Sequence, residues 1–193
     1  MDARSRRSRE SLRTAVLTLA GRTPIADVTA SAICREAGVT RDTFYRHADS
    51  PVELLADALA TEIAEAMEVL PSTGTIGDGE RALLAHVQHR LAVYHGAMHP
   101  LLAAPVRSNL ESSIRSGLEL WARMHPGILP AVFAGDEAAM RIATAYAAAG
   151  TVGAIEEWVR GGAADVDRAV ELILAASPEW WLASPAADER REP

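Results

Sequence analysis

The chain has 193 residues, a net charge of −7 and one cysteine, Cys34. That length supports a buried core without staples, and the lone thiol excludes an intramolecular disulfide. The acidity argues against a protein that coats nucleic acid nonspecifically, because such affinity comes from neutralised phosphates.

The charge is unevenly placed. Residues 1–50 hold nine Arg against six acids, a balance of +3, whereas residues 51–193 hold ten Arg against twenty acids, a balance of −10. A polyanion is therefore expected to meet the N-terminal quarter. Every basic residue is Arg; this reads first as the codon bias of a high-GC genome, although Arg also suits bidentate contacts to phosphate and guanine. The first twenty residues hold five Arg and no uninterrupted apolar run, so neither a signal peptide nor a membrane span is read there, and the expected compartment is the cytoplasm.

No stretch alternates apolar and polar residues for long, so the chain reads as all-α. A first helix covers roughly 5–20, with Leu12, Val16 and Leu19 on one face and Gly21 ending it. Thr29 caps a second helix that Gly38 ends after about two turns, and Thr40 caps a third that runs out near His47. Ser50, Pro51 and Glu53 form a capping box for a fourth, whose apolar stripe is Leu55, Leu59, Ile63, Met67 and Leu70. The Gly-rich stretch 71–79 reads as a loop and a boundary.

Beyond it, a helix over about 79–96 places Leu84, Val87, Leu91 and Tyr94 on one face, and a short Pro-bounded piece lies between His99 and Pro105. Ser108 and Glu111 have capping-box spacing for the next helix, with Leu110, Ile114, Leu118 and Trp121 on one side. The pattern at about 135–160 is apolar or small nearly all round and is expected at the centre of its domain. A last helix at about 165–176 carries Val166, Val170, Ile173 and Leu174, and 184–193 reads as a frayed tail.

Two helices joined by a tight Gly-containing turn, the second short and polar outside, form the pattern of a helix-turn-helix DNA reader. At about 100° per residue, Phe44 and Ala48 face inward with Val39, while Asp42, Thr43, Tyr45 and Arg46 occupy the opposite arc. Arg41 lies in the first turn, the part of a recognition helix that reaches base edges. A solvated surface helix of an ordinary bundle is the competing explanation.

The segment VTASAICREAGVTRDTFYRHADSPVELL, 28–55, resembles the second to fourth helices of the tetracycline-repressor (TetR) family of bacterial transcription regulators. Gly38, Val39, Thr43, Tyr45 and His47 stand where that family's motif has them; the likeness extends upstream to the first helix and more weakly to GTVGAIEEWVRGG, 150–162. The chain departs from the pattern at Ala48, where an aromatic is usual, and at Pro51, where a Lys is usual. The resemblance implies an N-terminal three-helix DNA-binding domain (1–49), a connecting helix (50–70), a helical ligand-binding and dimerisation domain (71–183) and a tail. It implies that Thr29, Thr43, Tyr45 and His47 hold phosphates while Arg41, Asp42 and Arg46 face base edges. The implied function is a ligand-responsive repressor that binds a palindromic operator in double-stranded DNA as a homodimer and releases it on binding a small-molecule effector. The alternative is a protein-interaction module that no longer binds DNA.

Gly inside a helix costs roughly 1 kcal/mol relative to Ala, so Gly150 and Gly153 suggest a close approach to that backbone. The resemblance implies a two-fold four-helix interface there, with Gly150, Gly153, Ala154, Trp158, Val170 and Ile173; close packing within the chain is the competing reading. Tyr94, His95, Met98, His99, Trp121, Met124, His125 and Tyr146 combine apolar walls with polar tips, as in a small-molecule cavity, although core packing explains each residue as well. His86 and His89, and His95 and His99, are each about one turn apart, but no Cys or carboxylate converges with them in the pattern, so no metal is expected. No catalytic motif and no cofactor signature appears, and no enzyme is expected.

Overall fold

The computed structural model describes residues 3–67, 75–97, 103–133 and 135–182. Among them are nine α-helices and no strand: α1 (Ala3–Ala20), α2 (Ala30–Ala37), α3 (Arg41–Tyr45), α4 (Pro51–Met67), α5 (Ile76–His89), α6 (Leu91–Ala97), α7 (Ala103–Met124), α8 (Glu137–Arg160) and α9 (Val166–Ala175). Short 3-10 turns lie at Ile25–Asp27, Pro126–Ile128, Ala131–Phe133 and Glu179–Leu182. No helix among the described residues is long and apolar enough to cross a membrane. The chain divides into two compact units, residues 1–62 with 90–109, and residues 63–89 with 110–193.

In the first unit, α1 packs against α2 and α6 through a face that buries Leu12, Ala15 and Val16. Thr29 caps α2, its hydroxyl accepting from the Ala32 amide at 3.2 Å. Gly38 ends α2 with φ +65°, a left-handed conformation that a Cβ would oppose. The Ser50 hydroxyl accepts from the Glu53 amide at 3.2 Å at the start of α4. Asp57 on α4 then reaches back to α1, accepting from Arg13 Nε at 2.8 Å and from Arg9 Nη2 at 3.2 Å. A second tie joins α4 to the turn before α6, where Arg90 Nε donates to Glu62 at 3.0 Å and Nη2 completes a two-pronged pair. Residues 90–109, assigned from the sequence to the ligand-binding domain, thus fall in the N-terminal unit. The pattern at 79–96 is correspondingly two helices, broken at Arg90.

The second unit begins its described part earlier than the glycines suggest. Thr75 and Asp78 form a reciprocal cap, the Asp78 carboxylate accepting from the Thr75 amide at 2.7 Å and the Thr75 hydroxyl accepting from the Asp78 amide at 3.2 Å. Gly77 and Gly79 therefore lie inside α5. At Gly77 an added Cβ would stand 3.1 Å from Leu174 Cδ1, so this glycine lets α9 pack closely on α5. Ser108 lies within α7 and starts no helix; α7 begins at Ala103 with Pro105 in its first turn, where the missing N–H has no intrahelical partner to lose. Asp136 caps α8 through the amides of Ala138 and Ala139.

Contrary to the expectation of a helix enclosed all round, α8 is two-faced. Thr144, Ala147, Ala148, Thr151, Val152, Ile155 and Val159 are buried, whereas Ile142 and Tyr146 are 72% and 80% exposed. Leu70, the loop residues 71–74, Met98, His99 and the tail 184–193 lie outside the described residues.

Burial alone pushes the Asp57 carboxyl up, but the Arg13 and Arg9 guanidiniums outweigh it and hold it below the ordinary aspartate value of 3.8. The native state then keeps this carboxylate ionised more readily than the unfolded chain does. Its contribution is present above pH 3.8 and is lost as pH falls through the native value. Asp57→Asn is expected to lower stability at pH 7 by about 1 kcal/mol, a figure discounted for partial exposure. The gap from the wild type should narrow on acidification below pH 4. Urea titrations at both pH values check this; a gap that widened in acid would refute the clamp.

Candidate nucleic-acid interface and effector region

The third helix is five residues long, too short to persist by itself. Two groups hold it in place. Thr40 takes an extended conformation and its hydroxyl accepts from the Thr43 amide at 3.2 Å. Phe44 is completely buried beneath the helix and meets the Tyr45 ring edge-on at 5.2 Å. Past Tyr45 the amides of His47 and Ala48 both donate to the Phe44 carbonyl, at 2.8 and 3.0 Å, which closes the helix.

With Phe44 inward, the remaining residues face out. Arg41, Asp42, Tyr45 and Arg46 are exposed, and Thr43 and His47 are half-buried. Arg46 folds back over its own helix: Nη2 donates to the Thr43 hydroxyl at 3.0 Å, Nε donates to the Asp42 carbonyl at 3.4 Å, and the guanidinium pairs with the Asp42 carboxylate at 3.5 Å. Exposed pairs of this kind contribute about 0–1 kcal/mol, so a stronger anion can displace Asp42. His47 is held below the usual histidine value by partial burial and then by Arg9 and Arg46, with Asp57 opposing. Thr29, exposed at the start of α2, uses a lone pair to cap the helix and keeps its hydroxyl proton available for an outside acceptor.

Among the concave features of the second unit, two are apolar and share the aromatic pair Trp180 and Trp181. Inside, Ile76, Trp121, Ala147 and Trp181 form a buried cluster with Leu118, Ile128 and Trp180 against it. Outside, an apolar groove runs between α8 and α9, lined among others by Ile142, Tyr146, Gly150, Ala154, Ile173 and Trp180.

No protein-family profile and no curated protein matches the chain. Solved structures do match it. A TetR transcriptional regulator from Rhodococcus sp. RHA1 aligns with a TM-score of 0.65 at 15% identity, over 91% of this chain and 97% of its own. The dihydroxyacetone kinase operon activator DhaS aligns at 0.62 and 16%, over 88% and 95%. A TetR-family transcriptional regulator from Streptomyces coelicolor aligns at 0.59 and 16%, over 100% and 92%. The chain has the fold of TetR-family transcriptional regulators.

Within this TetR-type fold, the residues expected to meet DNA stand together on α3 and its flanks, with Thr29 at the head of α2. The described residues expected to line one pocket are divided between the two compact units. Tyr94 is buried in the first unit, with Glu62 and Arg90 acting on its hydroxyl. Trp121 is buried in the second unit, with the His125 ring tilted against it at 4.9 Å. Met124 is exposed and Tyr146 lines the outer groove. Of the residues expected at a dimer interface, Gly150, Ala154 and Ile173 line the groove, Trp158 is half-buried and Val170 is buried within its own unit. Among the described residues no group of three His, Cys, Asp or Glu converges.

Sequence reasoning missed Trp180, Trp181 and Glu80. The aromatic pair lies between the helix expected at about 165–176 and the tail expected at 184–193, in a stretch to which the sequence pattern assigns no element. Glu80 falls just inside the helix expected over about 79–96, and no residue near it in sequence marks it as buried. Its carboxyl is 5% exposed; Oε1 accepts from the Thr151 hydroxyl at 3.3 Å, and Oε2 has no partner among the described residues.

Burial raises the Glu80 carboxyl to about 7, with the Thr151 hydrogen bond offsetting part of the effect. The native state holds this proton up to about pH 7, whereas the unfolded chain releases it near 4.5. Native stability therefore falls as pH rises between those values, by about 3 kcal/mol in full. Glu80→Gln cannot ionise. Between pH 5 and pH 8 it is expected to lose less stability than the wild type, as followed by denaturant melts; parallel pH dependences would contradict the assignment.

Proposed function

We propose that the chain is a DNA-binding transcriptional regulator without catalytic activity. It binds a palindromic operator as a homodimer and leaves it when a small-molecule effector occupies the second unit. In that form it acts as a repressor. The observation that carries this reading is α3: a five-residue helix pinned from behind by Phe44, which presents Arg41, Asp42, Thr43, Tyr45 and Arg46 outward. A surface helix in an ordinary bundle has no need of such a turn, cap and polar face on so short a segment. Thr29, Thr43, Tyr45 and His47 hold phosphates and set register, while Arg41, Asp42 and Arg46 read base edges.

Two-fold pairing is supported by the groove between α8 and α9. Among the described residues, apart from the backbone of their own helix, nothing stands within 4 Å of a Cβ added at Gly150 or Gly153, which argues against close intrachain packing as the reason for those glycines. Beside them Ile142 and Tyr146 leave apolar surface in solvent, as expected of a face that another copy covers. A palindrome then follows from the two-fold axis.

Gel shifts on an operator selected from genomic fragments test the reading. Tyr45→Phe is expected to weaken binding to all sequences alike, whereas Arg41→Ala relaxes preference at one base pair, a loss of about 1–3 kcal/mol. An Arg41→Ala variant with unchanged sequence preference would remove Arg41 from the base-reading set. Binding with no salt dependence would reject DNA as the partner.

Pairing is tested separately by sedimentation. The wild type is expected to be a dimer at micromolar concentration, and Tyr146→Glu, which places charge in the groove, to be a folded monomer. A wild-type monomer at that concentration would end the two-fold reading.

A further inference from the structure

The segment Glu179–Leu182 is a single 3-10 turn, and of its four residues only Trp181 is buried. One side chain therefore anchors the turn. Its ring sits among Ile76, Trp121 and Ala147, in a cavity bounded also by Leu118, Met140 and Thr144. The space left there is about 10 Å³, at the lower limit for one water. No charged side chain bounds it among the described residues. The Thr144 hydroxyl already donates to the Met140 carbonyl at 3.0 Å. The indole Nε1 of Trp181, although buried, has no acceptor among the described residues.

These observations describe a ring that fills its site but does not fully satisfy it. A buried donor without an acceptor carries a desolvation penalty that a ring of the same shape lacking the donor avoids. The uncharged walls disfavour any ionised group. The same turn also touches the outer surface: Trp180 and Trp181, whose rings lie 5.8 Å apart, both line the inner cavity and the groove between α8 and α9.

We propose that Trp181 is a built-in occupant of the effector site, and that the effector is an uncharged, indole-sized aromatic molecule that takes its place. The inference rests on the effector-responsive reading above and deepens it by naming the ligand class. Binding of such a molecule expels the 179–182 turn and withdraws Trp180 from the groove, so that occupancy inside alters the pairing surface outside.

Benzofuran, which has the size of indole and no donor, is the probe. Calorimetry on the free full-length protein is expected to show saturable binding of benzofuran and none of benzofuran-2-carboxylate. Hydrogen exchange at 179–182 is expected to accelerate on binding. Trp181→Ala is expected to bind benzofuran at least about tenfold tighter, because the competing ring is gone. Should that variant fail to fold, Trp181→Leu, which keeps an apolar filling without the ring, is expected to show the same tightening to a smaller degree. The proposal is overturned by no binding of benzofuran to the wild type up to its solubility. It is overturned equally by binding without faster exchange at 179–182, by equal affinity for the carboxylate, or by folded Trp181 variants that bind no tighter. No DNA is present in these measurements, so their failure is distinct from failure to bind an operator.

Discussion

A helix of five residues has too few internal hydrogen bonds to offset the ordering of its own backbone, so α3 depends on the burial of Phe44. Everything outward of it follows from that contact. Thr40 supplies the cap, Gly38 supplies the reversal that brings α3 against α2, and the rotation of Phe44 inward sends Arg41, Asp42 and Tyr45 to the surface. The same unit is then braced through Asp57, whose two guanidinium partners fasten α4 to α1. These ties cross between helices rather than run along them.

How much of this was legible depended on the range of the interaction. The caps at Thr29, Thr40 and Ser50 are local, and the residue types at those spacings specify them wherever the segment sits. The start of α5 is local too, but the Thr75 and Asp78 cap was masked by Gly77 and Gly79, which read as loop until Leu174 is seen to need the room. The pairing of Ser108 with Glu111 has cap spacing, yet α7 is already helical before Ser108. The break at Arg90 adjoins an ion pair with Glu62, 28 residues away, and no window of sequence contains both.

The second unit was less legible because an apolar face that solvent sees and an apolar face that the core sees have the same composition. Ile142 and Tyr146 belong to the first kind, Val152 and Ile155 to the second, and both fit an α8 that looks enclosed. Aromatics and histidines scattered over 94–146 suggested one pocket, but Tyr94 and Trp121 lie in different compact units. Glu80 and Trp181 gave no local sign at all; each is defined by what it meets from distant segments, Thr151 in one case and Trp121 in the other.

Gly150 and Gly153 leave a strip of main chain bare on the outside of α8. A strip without side chains works as a ruler, since it sets how near a facing helix can come before atoms collide. In the proposed dimer, two identical chains would bring matching relief to such a ruler from both sides.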